Sequence, residues 1–207
     1  MKQGSDLVMI EPGARAFWDW FSGAETRLRS LQPGSADWLD LDKRLRELGV
    51  EAWEIGPAVA SKARYAFALS PRAHAAEYER CKRIVALAPQ LADWEFLAAK
   101  PRKQWRRKFF WSGDHIEIDA SNWRFVVYRY EDTKVEIVLL GDLLSRLPPD
   151  DQLGVLEFVV ESELGEALCI ERLCGLDIYR QPTPNDETDA VPITALFQVV
   201  SGERSFH

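Results

Sequence analysis

Between residues 50 and 99 the hydrophobic period changes twice, and few folds accommodate such a pattern. Trp53-Glu-Ile55 and residues 63–69 alternate as strands do, with Tyr65, Phe67 and Leu69 on one side. Ser70-Pro71 then reads as a helix cap followed by a first helical residue. Tyr78, Cys81, Ile84 and Val85 recur at helical spacing until Ala88-Pro89 ends the run. Trp94-Glu-Phe96-Leu97 returns to strand. Residues 115–180 repeat that order. Ile116 and Ile118 alternate with acids, residues 123–130 are aromatic and β-branched, Glu131-Asp132-Thr133 is a turn, and residues 134–139 point Val135, Ile137 and Leu139 inward. Pro148-Pro149-Asp150 opens a helix with Leu153, Leu156, Val160 and Leu164 on one stripe, closed by Gly165. The apolar run 168–179 holds a further strand. Strand, strand, helix, strand, written twice, predicts an internal duplication of a β-β-α-β unit.

A helical hairpin is expected ahead of it, over residues 11–49. Phe17, Trp20, Phe21, Ala24, Leu28 and Leu31 form one stripe, with Pro12 near the start. Gln32-Pro33-Gly34 breaks it. Ser35 or Asp37 caps a second helix carrying Trp38, Leu41, Leu45 and Leu48, and Gly49 terminates it. Trp18 lies off the main stripe, so it either packs on the second helix or stands exposed as a binding hot spot. The expected class is α+β in a single domain, 1–207. The two units, 50–99 and 115–180, build antiparallel sheet or sheets with helices on one face. Residues 181–192 are a polar, proline-punctuated loop, and residues 193–200 dock back as an apolar segment.

With 207 residues, 46% of them apolar, the chain buries a sizeable core. No apolar stretch approaches a membrane span, and Met1-Lys-Gln-Gly-Ser-Asp6 has no signal-peptide core. Cys81, Cys169 and Cys174 are an odd set in a chain with a large core, which predicts buried apolar thiols in a reducing, cytoplasmic compartment. Net charge is −7, spread unevenly. From Asp150 onward there are 3 basic and 12 acidic residues, a net of −9, while the preceding residues carry +2. Bulk charge therefore disfavours nucleic acid.

Three strings occur in order: Phe17-Trp18-Asp19-Trp20-Phe21, Ala88-Pro89-Gln90-Leu91-Ala92-Asp93-Trp94-Glu95-Phe96 and Glu163-Leu164-Gly165-Glu166. Together they resemble a family of bacterial cytoplasmic proteins classed as a domain of unknown function, over residues 14–180. That family has no assigned catalytic residues, so the resemblance implies a bacterial, intracellular protein and carries over nothing about activity.

Two clusters are candidates for chemistry. Residues 100–111 hold Lys100, Arg102, Lys103, Trp105, Arg106, Arg107 and Lys108, followed by Phe109, Phe110 and Trp111, with no acid among them. Guanidinium and ammonium groups neutralise phosphates, and aromatic rings stack on bases. A solvated connector, or cations docked on the acidic C-terminal quarter of the same chain, accounts for the same pattern. The second cluster is Glu157, Glu161, Glu163 and Glu166, with Glu171 beyond. Glu157 and Glu161 repel at i, i+4, and Glu163 and Glu166 oppose the helix dipole. Carboxylates so placed mark a metal, a cationic partner or a solvated face. Asp114-His115 and Asp119 are the only further candidate ligands for a metal, and spacing alone does not bring them close. No P-loop, dinucleotide or nucleophile-elbow string occurs, and no cofactor or metal site is assigned. His74 is expected exposed in its helix, His115 starts a strand and His207 ends the chain.

The charge split favours a non-enzymatic interaction module that holds another protein, of adaptor or toxin-neutralising type. The alternative is a metal-assisted hydrolase of an anionic or phosphorylated substrate, with the glutamates on the metal and Arg106 and Arg107 on the anion. Single-stranded nucleic acid binding by the basic-aromatic segment is a third reading, against which the net acidity counts.

Overall fold

A computed structural model describes the backbone of residues 3–111 and 116–202, with side chains from Ile10 onward. The chain is α+β, and it divides into two compact units, residues 1–101 and 102–207.

In the first unit, α1 (Gln3–Leu28) and α2 (Ala36–Glu47) form the helical hairpin. The first helix starts well before position 11, so Pro12 lies inside it. A proline there forfeits one backbone bond, which this helix tolerates. Ser35 caps α2 by accepting the Trp38 N–H at 3.2 Å. Ser35→Ala will cost about 1 kcal/mol, read as a lower urea midpoint at unchanged slope. Leu41 and Leu45 are the buried stripe. Gly49 closes the helix at φ +75°, where a Cβ would stand 2.5 Å from the Arg80 guanidinium.

The chain continues through β1 (Ala52–Pro57), β2 (Tyr65–Ser70), α3 (Ala75–Ala86) and β3 (Trp94–Leu97). The sheet order is β1-β2-β3. β1 and β2 are antiparallel, with Trp53 opposite Leu69 and Ile55 opposite Phe67. β3 runs parallel to β2, with Phe67 opposite Phe96. The sheet is therefore mixed and not antiparallel throughout. A hairpin reverses the chain once, and the crossover helix returns it to the end where β2 began. On β2, Ala66, Ala68 and Ser70 are buried along with Phe67 and Leu69. A central strand covered on both faces reads that way, where alternation had suggested one. α3 starts at Ala75 and not at Pro71. Arg72 and Ala73 have φ of 50° and 62°, and left-handed residues cannot belong to a right-handed helix. His74 is its exposed N-cap, with no capping bond from the side chain.

The core of this unit is aromatic. Phe17, Trp18, Phe21, Phe67 and Trp94 are all buried, and Phe96 packs against them. Trp18 is 3% exposed, and its indole N–H donates to the Ile84 carbonyl at 2.7 Å. It joins α1 to α3, so the exposed hot spot that its position allowed is corrected to a core residue. A Trp buries whole when its one donor finds a backbone acceptor.

The second unit opens with a two-stranded ribbon, β4 (Lys108–Trp111) and β5 (Ile116–Asp119). There follow β6 (Arg124–Arg129), β7 (Val135–Leu140), α4 (Pro149–Leu164), α5 (Glu166–Arg172), β8 (Leu173–Tyr179), α6 (Pro184–Asp189), β9 (Val191–Pro192) and α7 (Ile193–Ser201). The four-stranded sheet has the order β8-β7-β6-β9. β6 and β7 are antiparallel, and β8 returns parallel to β7, as β3 does to β2. The expected loop 181–192 contains α6, closed by a capping box between Thr183 and Asp186, and β9. The expected docking segment is helical, with Ile193, Leu196 and Val200 buried. On α4 the buried apolar residues are Val155, Leu156, Val159, Val160 and Leu164. Leu153, placed on that stripe from sequence, is 45% exposed. Among the described residues no helix is long and apolar enough to cross a membrane.

Candidate functional site

The basic-aromatic segment and the acidic helix meet within the second unit. From residue 102 the chain lies across the C-terminal end of α4. The Lys103 N–H donates to the Ser162 carbonyl at 2.7 Å, and the Ala120 N–H donates to the Arg107 carbonyl at 2.8 Å. The Trp105 indole donates to Glu163 Oε1 at 2.8 Å. Arg107 Nη2 donates to Glu163 Oε2 at 3.0 Å, and Arg107 Nε lies 2.8 Å from Oε1 in ion-pair contact. Arg107 reaches this carboxylate from a left-handed backbone, φ 58°, which a non-glycine residue holds only when its surroundings dictate it.

Aromatic packing explains why the strap lies here. Trp105 meets Phe158 edge-on at 5.6 Å, and Phe109 packs on the same ring at 4.8 Å. β4 alternates, so Phe109 and Trp111 face the core while Lys108 and Phe110 face outward. The Trp111 indole donates to Asp151 at 3.1 Å. Arg102 stacks over Phe197 at 4.1 Å, and Lys103 Nζ lies 5.8 Å from the Phe158 ring. Lys108 stands 2.7 Å from Asp119, and with Ser121 it holds that carboxyl well below its ordinary range. Arg106 is exposed, and Lys100 is half-buried at the end of the first unit.

The four glutamates do not converge. Glu157 is exposed on α4 and Glu161 is half-buried. Glu163 is 1% exposed and Glu166 wholly buried, against the expectation of a solvated face. Glu163 is an internal counter-ion, spent on Arg107 and Trp105 and out of reach of a solute. Among the described residues, no three His, Cys, Asp or Glu side chains are grouped to hold a metal. Asp114, His115 and His207 lie outside the described residues.

The thiols differ from one another, so uniform burial is corrected. Cys81 is buried, Cys169 half-buried and Cys174 exposed. Burial, with Glu161 and Glu166 nearby, pushes the Cys169 thiol up to about 12. Cys174 lies toward solvent because β8 is an edge strand. With iodoacetamide at pH 8, Cys174 will be alkylated before Cys169, as mass spectrometry of timed digests will show. Equal labelling of the two would contradict that environment.

The first unit holds a different kind of surface, a groove of about 550 Å³. Leu28, Arg29, Leu31, Pro33 and Trp38 form one wall, and residues 53–57 of β1 with Arg64 and Tyr65 form the other. Trp38 and Trp53 pack at 4.3 Å, and the Trp53 indole donates to Asp42 at 3.2 Å. Tyr65 backs onto Trp94 at 5.2 Å. The Arg29 guanidinium is held by Glu25 and by Asp93. Arg64 lies over the Tyr65 ring at 5.3 Å, exposed.

No family model, curated protein or solved structure matches the chain.

The groove was not singled out from sequence, although its parts carried a signal. Trp38 and Trp53 stood on the faces of two predicted elements, and Arg64 and Tyr65 began a predicted strand. What they lacked was a spacing that links a helix to a strand. The clusters that spacing did reveal, at 100–111 and 157–166, are largely used in holding the second unit together.

Proposed function

We propose that the chain is a non-enzymatic interaction module of adaptor or toxin-neutralising type, working in a bacterial cytoplasm and holding another protein. The observation that carries this reading is the burial of Glu163 on Arg107 and Trp105. Glu163, Arg107 and Trp105 are spent on each other, while the aromatic groove, Phe110 and Leu143 remain open to solvent. Exposed apolar side chains beside charged ones suit a protein partner. The shared strand order and pairing of the two units agree with an internal duplication, and the family resemblance stands with the same reading.

Affinity capture from the lysate of the source cell tests it. The expected result is one protein retained at stoichiometric level and released by salt, because charge complementarity weakens with ionic strength. Turnover of a phosphorylated substrate by purified protein, lost in a Glu163→Gln variant, would overturn it.

A further inference from the structure

We draw no further inference here: the strongest candidate, the groove of the first unit walled by Trp38, Trp53 and Tyr65 between the helical hairpin and the sheet, is an unpartnered apolar surface, and nothing in the structure shows what covers it.

Discussion

Replacing Arg107 with methionine will destabilise the protein by about 3–5 kcal/mol, the usual cost of leaving one member of a buried ion pair without its partner. The Glu163 side chain is 2% exposed and that of Arg107 24%, so water cannot take over the lost contacts. The carboxylate also sits in the last turn of α4, where backbone carbonyls are oriented against an anion. Among the described residues, the Trp105 N–H is the hydrogen bond that would remain to it. Urea unfolding measures the loss. Adding Glu163→Gln to Arg107→Met should restore much of it, because a neutral carboxamide still accepts the Trp105 N–H. A single-variant cost under about 1 kcal/mol, or a double variant no better than the single, would show that the pair does not hold the strap.

Phe21→Ala will cost about as much, 3–5 kcal/mol, by a different mechanism. Phe21 is wholly buried and lies within 5.1 to 5.6 Å of the rings of Trp94, Phe67, Phe96 and Trp18. Removing it opens a cavity walled by stiff aromatic rings fixed on α1, β2 and β3, which cannot collapse inward as aliphatic chains do. Near-UV circular dichroism should weaken as well, since two of those neighbours are tryptophans. Phe21→Leu, which keeps most of the volume, should cost clearly less. A loss below about 1.5 kcal/mol for the alanine variant would mean that the cluster repacks.

These two sites show what a linear reading conveys. Phe21 was legible as core because its stripe on α1 repeats at three and four residues, and the period survives in any tertiary context. Trp18, one position outside the stripe, was not. Its burial depends on the Ile84 carbonyl, 66 residues away. Ser35 was legible as a cap because its partner is three residues on. Ser70 was read as one by the same rule and is not, because Arg72 and Ala73 turn left-handed before the helix begins. The charged clusters were visible as composition, and the possibility that they dock on one another was open. That Glu163 takes Arg107 and Trp105 while Glu157 stays exposed follows from which side of α4 the strap crosses.

Although β4, α5, α6 and β9 went unread and Leu153 was placed inward, the sequence by itself determined the α+β class, the hairpin, the order of the main strands and helices, and most of the faces that carry core residues. All of these rest on periods and caps a few residues long, where the interacting groups are close in the chain. The tertiary structure alone decided that β3 and β8 return parallel, that a buried carboxylate holds the basic strap, and that Trp38 and Trp53 meet in an aromatic groove. Each joins groups about 15 to 60 positions apart, and between such groups distance in sequence carries almost no information about distance in space.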